Sequence, residues 1–398
     1  MDSGSIAWVL TATALVLFMV PGLALFYGGM VRSKSVLNML LMNMVCLGIV
    51  PIVWVLVGYS LALQGEGNGG LIGTLDAVGL KDLGAEDLLL VAFLMTFAAI
   101  TPALISGAVA DRLKFSAWMV FVPLWSLLVY VPVVFWIYGP DGWLKERGSL
   151  DFAGGTAIHI NAGVAALAVA LVLGRRKGWP NEPMLPHNLP LVTIGAGILW
   201  FGWFGFNAGS ALAANDVAIE AFLNTFLAAA AAMMGWLVAE RIKDGHFTTL
   251  GAASGVVAGL VAITPAAGYV SGLSSLVFGA VAGVLCFLAV SLKYRFRYDD
   301  SLDVVGVHMV GGIVGGLLLG LFADQVLAGD DHGWLLGGGM DLFTEQIIAI
   351  VVVMIYSFVV TFIIAKAIDL VMGLRVDDDT EVTGLDRTEH AETAYQTL

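Results

Sequence analysis

Residues 154–161 read GGTAIHIN and residues 304–310 read VVGVHMV, so His159 and His308 each lie inside a long apolar segment. A side chain that can ionise is costly to bury at membrane depth, and it indicates a functional site by default. A single buried histidine is more often a hydrogen-bonded core residue. Two of them in similar apolar surroundings favour function, and we interpret them as a working pair.

The composition defines the class of protein. Of the 398 residues, 59% are hydrophobic and 12% are charged, and the mean hydropathy is +0.92, which excludes an ordinary soluble domain. A span of about 20 apolar residues crosses a bilayer as a helix, whereas a β-barrel needs strands of about ten alternating residues. We therefore predict an all-α polytopic membrane protein with eleven transmembrane helices, over residues 6–29, 36–63, 88–110, 117–137, 155–173, 188–207, 216–239, 247–264, 271–291, 304–327 and 342–373.

The basic residues are distributed unevenly among the predicted loops. Cytoplasmic loops carry an excess of Lys and Arg, which predicts an N-terminus outside, a cytoplasmic C-terminus, and residence in the cell (plasma or inner) membrane. With a net charge of −13, no nucleic-acid partner is expected. The basic positions that mark the cytoplasmic loops are Arg32, Lys34, Arg112, Lys114, Arg175, Arg176, Lys177, Arg241, Lys243, Lys293, Arg295 and Arg297.

The two histidines fall in the fifth and tenth predicted helices. That placement suggests two halves of five helices, spans 1–5 over about 6–173 and spans 6–10 over about 188–327, followed by a final helix. An odd number of spans per repeat inverts the second copy in the membrane, and inverted repeats place substrate sites near the midplane between the halves. The spacing Gly155-x3-His159-x3-Gly163 resembles Val304-x3-His308-x3-Gly312, although a glycine-rich chain produces such matches readily.

The chemistry open to the pair is limited. A neutral imidazole offers one donor and one acceptor, so it can pass protons or bind a small neutral polar molecule. A metal site is disfavoured because no Cys, Asp or Glu completes the coordination, and Cys46 and Cys286 give no disulfide or zinc spacing. We expect no cofactor. We also expect no enzymatic activity, since the predicted helices lack the residue arrangements of intramembrane hydrolases.

Five stretches resemble the ammonium transporter (Amt/Mep/Rh) family, on its Amt side. They occur in the family's order and together run through most of the chain. The resemblance implies an eleven-helix bundle with an inverted five-plus-five repeat, assembled as a homotrimer with one pore per subunit, and a role in nitrogen metabolism. The stretches are PGLALFYGGM at 21–30, DFAGGT with His159 at 151–159, PHNLP at 186–190, GWFGFNAGS at 202–210 and DVVGVH at 303–308.

The resemblance also assigns roles to individual residues. His159 and His308 look like the twin histidines that line the pore. Phe97 and Phe206 resemble the two stacked rings that close the outer mouth. Substrate-binding residues are then Ser210, Phe97, Trp203 and an aromatic residue, which falls at Tyr138 where the family usually has tryptophan, with Trp136 as the alternative. Aromatic faces hold a small cation with about 0.5–2 kcal/mol per contact.

Asp151 precedes the fifth predicted helix and has two interpretations. It can attract the cation, or it can cap the free N–H groups of that helix. We favour the capping role with an indirect electrostatic effect. Substitution by Asn is expected to keep much of the capping.

The mechanism implied by the resemblance is recruitment of NH4+ outside, deprotonation, and passage of NH3 through an apolar pore, with the proton crossing as well. Methylammonium, larger by one methyl group, is a second expected substrate. An electroneutral Rh-like NH3 conduit is the alternative, and an ammonium sensor acting through a separate signalling partner is another. The membrane domain is expected to cover residues 1–374.

Residues 375–398 are expected to form a cytoplasmic regulatory tail. GLDRTEHAETAY at 384–395 resembles the family's C-terminal region, which contacts neighbouring subunits and PII-type regulatory proteins. Ala391 stands where the family commonly has glycine. If that glycine adopts a positive φ, alanine predicts a different path for the tail. The alternative is a disordered acidic tail.

Overall fold

A computed structural model describes residues 1–65 and 68–395, and within them helices form the architecture without a β-strand. Residues 396–398 of the predicted tail lie outside the described part. Eleven helices follow one another through the membrane domain: α1 Ser3–Met30, α2 Ser33–Leu63, α3 Ala85–Ala108, α4 Phe115–Glu146, α5 Gly155–Leu173, α6 Leu189–Gly209, α7 Asp216–Asp244, α8 Thr249–Ile263, α9 Gly272–Phe296, α10 Val305–Phe322 and α11 Asp341–Met372.

The helices agree in position with the predicted spans. Among the described residues, ten are long and apolar enough to cross a membrane, which confirms the prediction of an all-α polytopic fold. Helix α8 has only 15 residues, fewer than the about 20 that a perpendicular span requires. The number eleven and the orientation therefore stay predictions.

Glycines bring the first helices of the two predicted halves into backbone contact. A Cβ atom added to Gly205 of α6 would lie 2.8 Å from the carbonyl oxygen of Ala12 in α1, and one added to Gly202 would lie 2.8 Å from that of Leu15. Such close approach is the usual use of small residues in membrane helices. The long α1–α6 contact joins the halves along their length.

Helices α5 and α10 cross at the histidines with reciprocal contacts. A Cβ atom on Gly163 would lie 2.7 Å from the Cα atom of Met309, the residue after His308. A Cβ atom on Gly312 would lie 2.7 Å from Cγ1 of Ile160, the residue after His159. In each half, the glycine four residues after the histidine thus packs against the residue that follows the other histidine. Such reciprocal contacts are expected for a two-fold arrangement.

The described part of the tail packs against the end of the bundle that the predicted orientation places in the cytoplasm. It contains two short helices, α12 Asp378–Thr383 and α13 Leu385–His390. The Asp386 carboxylate accepts the backbone N–H groups of Leu37 and Asn38, at 3.0 and 2.8 Å. Glu389 accepts that of Phe115 at 3.2 Å. Tail side chains therefore cap the first turns of α2 and α4, and the alternative of disorder does not hold for these residues.

Ala391 adopts the conformation that the family's glycine was expected to supply. Its φ and ψ are 55° and 31°, in the left-handed region. The following Glu392 N–H donates to the carbonyl of Asp386 at 3.0 Å, which closes the turn. The alanine thus adopts the left-handed turn at a strain of about 1–2 kcal/mol.

Candidate functional site

The end of the bundle that the predicted orientation places outside contains a vestibule of about 240 Å³ between α2, α3, α4 and the start of α5. Its wall includes three of the predicted site residues, Phe97, Tyr138 and Ser210. The Ser210 hydroxyl donates to the carbonyl of Phe206 at 2.8 Å, so its oxygen lone pairs stay available as acceptors. The rest of the wall is mainly apolar or aromatic, including Trp54, Phe93, Tyr130 and Phe152.

Two phenylalanine rings close the floor of the vestibule. Phe97 and Phe206 stack with centroids 4.2 Å apart and planes at 25°, and both are at least 96% buried. Phe93 supports Phe97 edge-on at 4.8 Å. Stacked rings at this separation leave no room for a molecule between them.

His159 and His308 face each other below the phenylalanines. Their Nδ1 atoms are 3.2 Å apart, and the ring centroids are 5.3 Å apart with planes at 24°. Both rings are almost fully buried. Since a hydrogen bond between two Nδ1 atoms needs one proton, one ring donates and the other accepts. Nε2 of His159 is buried and has no hydrogen-bond partner among the described residues.

Both histidines lie in π-helical first turns, Gly155–Ile160 and Val305–Met309. Such turns often mark functional sites in helices. The π-helical turn begins α5 and α10. It is a second feature that the two halves share around their histidines.

The structure separates the two aromatic candidates for the outer site. Tyr138 lines the vestibule. Trp136 instead donates its indole N–H to the carbonyl of Leu71 at 2.8 Å and packs edge-on against Tyr356. Of the two, Tyr138 is therefore the one on the vestibule wall.

Trp203, predicted to bind substrate, lies beside His159. It is absent from the vestibule wall, stacks on His159 with centroids 5.3 Å apart, and donates its indole N–H to the Thr264 hydroxyl at 2.9 Å. The ring of Trp203 thus supports His159, the histidine nearer to Phe206, and a contact between Trp203 and substrate stays a prediction. Thr264, which fixes the indole, carried no sequence signal.

Asp151 caps α5. Its Oδ1 accepts the N–H groups of Gly154 and Gly155, at 2.8 and 2.7 Å, and its Oδ2 accepts those of Thr156 and Ala157, at 2.8 and 3.0 Å. Burial raises the pKa of this carboxyl, while the four N–H groups act in the opposite direction. Because both oxygens are engaged, Asn keeps only two of the four bonds, fewer than the sequence interpretation assumed.

Asp300 occupies, before α10, the position that Asp151 occupies before α5. The sequence did not lead us to predict this role. Asp300 accepts the N–H groups of Val304 and Val305, at 3.1 and 2.7 Å, at the start of α10. Burial and the neighbouring charge of Asp303 raise the pKa of Asp300 to about 6. The signal was present, because an aspartate precedes each histidine by eight residues.

A narrow inner recess continues from His308. Tyr27, Ser254 and Asp303 line it together with the histidine. Lys293 donates to Asp303 at 2.7 Å and to the carbonyl of Asp300 at 3.1 Å. The vestibule, the phenylalanine pair, the histidine pair and this recess thus follow one another along a single line of contacts.

Comparison with known proteins gives consistent matches over nearly the whole chain. A sequence model described as Ammonium Transporter Family matches residues 7–395. An ammonium transporter of Mycobacterium bovis is 50% identical over 432 residues, covering 99% of this chain and 90% of that protein. The crystal structure of Candida albicans Mep2 superposes with a TM-score of 0.90 at 37% identity, covering 95% of this chain and 87% of that one. A structure described as "Sensor Amt Protein" gives a TM-score of 0.91 at 30% identity, covering 97% and 98%.

Proposed function

The chain belongs to the ammonium transporter family and is a multi-pass membrane protein, and from this premise we propose that it carries ammonium across the cell membrane through the line of sites described above. NH4+ enters the vestibule, where Tyr138 and Phe97 present aromatic faces and Ser210 presents a hydroxyl oxygen. Cation–π contacts of about 0.5–2 kcal/mol each replace part of the lost hydration. K+ has no proton to donate to the Ser210 oxygen and gains less.

Deprotonation before the histidines follows from the cost of burying charge. A bare ion at the bilayer midplane is expensive, whereas NH3 requires only hydrogen bonds. Nε2 of His159, which has no hydrogen-bond partner in the described part of the chain, belongs to the ring that lies next to Phe206 and is the atom we expect NH3 to reach first. The 3.2 Å contact between the Nδ1 atoms is the observation that carries the proposal, because it gives the released proton a continuous path past the midplane.

The experiment is charge movement after an ammonium jump, with purified protein in liposomes on a solid-supported membrane. A saturable current, absent with potassium and absent from the His159→Ala/His308→Ala variant, is expected. An ammonium-selective current that persists in the double variant would refute the relay. Internal alkalinisation without current would establish the electroneutral conduit instead.

A sensor role is the second candidate. One structural neighbour, 30% identical, is described as a sensor. In that case a separate signalling partner responds to the binding of ammonium in the same vestibule. Ammonium would then bind, visible as a shift of tryptophan fluorescence, without accumulating inside the liposomes. Membership in a transporter family favours transport over enzymatic catalysis.

We further propose the homotrimer with one pore per subunit and division of the chain into a membrane domain, 1–374, and a regulatory tail, 375–398. The described tail supports this because Asp386 and Glu389 cap α2 and α4. A PII-type protein that pulls the tail away would remove those caps. Size-exclusion chromatography with light scattering tests the trimer, and transport by a chain ending at 374 tests the regulation.

A further inference from the structure

The loop between α4 and α5 forms the part of the vestibule nearest to the cap residue. Phe152 and Ala153 line the vestibule, and Asp151 caps α5 immediately before them. Residues 147–154 form no helix, so the position of these groups depends on contacts with neighbouring elements.

Gln346, in α11, holds this loop at one residue. Its Oε1 accepts the N–H of Leu150 at 2.8 Å and its Nε2 donates to the carbonyl of Leu150 at 2.9 Å. The side chain is buried, with the residue 1% exposed. A two-bond amide pair fixes both the distance and the rotation of the peptide it contacts, and here that residue directly precedes Asp151.

The other cap is held in a corresponding way by a different chemical group. Asp299, which precedes Asp300, receives two bonds from the Arg176 guanidinium, at 2.9 and 2.8 Å. One side chain thus makes two bonds to the residue before each capping aspartate, although Gln346 bonds to the backbone of Leu150 and Arg176 bonds to the side-chain carboxylate of Asp299. Arg176 is a cation, whereas Gln346 is neutral. An arginine beside the vestibule would repel the cation that binds there.

We propose that Gln346 is a positioning residue for the outer cation site. Through Leu150 it sets where Asp151 lies, while the N–H of Phe152 donates to the carbonyl of Pro265 at 3.0 Å. The neutral amide of Gln346 adds no positive charge to the vestibule. The inference rests on the proposed outer ammonium site, and it gives α11, the helix outside the predicted repeat, a role in substrate affinity.

The test compares KM and maximal current for ammonium in liposomes. Gln346→Met keeps the length and volume of the side chain but removes both bonds. We expect its KM to rise about fivefold, since two buried backbone groups lose their partners, with the maximal current per folded protein within about twofold. The matched control is Ser357→Ala, which removes the 2.9 Å bond from the same helix to the carbonyl of Asn161; its KM should not change.

The outcomes separate this inference from the proposed function. If the wild-type protein gives no saturable current, the proposed function fails. If it gives one and Gln346→Met has the wild-type KM, or loses only maximal current, the positioning role is overturned and Gln346 is structural. Should Gln346→Met not fold, Gln346→Asn decides in its place, because the amide is withdrawn by one methylene: a raised KM supports the role, and an unchanged KM overturns it.

Discussion

Replacing Asp151 by Asn or by Ala should give a graded loss of stability, because its two oxygens share four backbone N–H groups equally. In Asp151→Asn, one oxygen can still accept two of the N–H groups, and the new NH2 group faces the other two. In Asp151→Ala, all four lose their partner. Both variants also remove a buried carboxyl group next to the vestibule.

The magnitude follows from the number of orphaned donors. A buried donor without a partner costs about 1–3 kcal/mol, so Asp151→Asn, with two of them, should lose about 2–6 kcal/mol of stability. Asp151→Ala should lose more. We therefore expect the unfolding temperature, measured by tryptophan fluorescence of the purified protein in detergent, to fall in the order wild type, Asn, Ala.

Transport measured on the same preparations separates capping from electrostatic attraction. If the carboxyl attracts the cation, the KM of Asp151→Asn rises beyond what its loss of stability explains. Near-normal transport in a destabilised Asn variant would refute the electrostatic role and leave the cap. An Asn variant that unfolds at the wild-type temperature would refute the cap itself, since two of the four bonds cannot form.

Three further predictions concern other parts of the pathway. Tyr138→Trp should lower the KM for ammonium severalfold because tryptophan is the stronger cation–π partner, whereas Trp136→Phe, away from the vestibule, should leave KM unchanged; currents in liposomes measure both. Ala391→Gly should relieve the strain of the left-handed turn by about 1 kcal/mol, seen as slower tryptic cleavage of the tail, and equal cleavage rates would contradict it. Because the pKa of Asp300 is raised from 3.8 to about 6, its contribution to stability should fall as pH rises through that interval; thermal unfolding of wild type and Asp300→Asn at pH 4–7 measures the difference, and parallel curves would refute it.

The helices and the central pair could be predicted from the sequence because membrane burial limits the choices. Continuous apolar segments specify helices, and two histidines within them stand out against that background. The sequence analysis overestimated how much capping Asn would retain, since Asn keeps only two of the four bonds of Asp151, and it did not predict that Trp203 stacks on His159. Periodicity places a residue on a helix, but it does not say which layer of a pore the ring reaches.

Contacts between distant segments had no signal in a single sequence. The bonds from Gln346 to Leu150 span 196 positions, and the cap of α2 by Asp386 spans about 350. Both are made to backbone groups, which every residue carries, so residue identity does not reveal the partner. Asp300 was different, since its eight-residue spacing to His308 repeats that of Asp151 to His159.

The single proton shared by the two Nδ1 atoms gives the histidine pair a polarity. If a proton enters at Nε2 of His159 and another leaves from Nε2 of His308, the shared proton moves from the first ring to the second, and both rings end in the opposite tautomer. The pair cannot repeat the same step from that state. A second proton can follow in the same direction only after the two tautomers have interconverted.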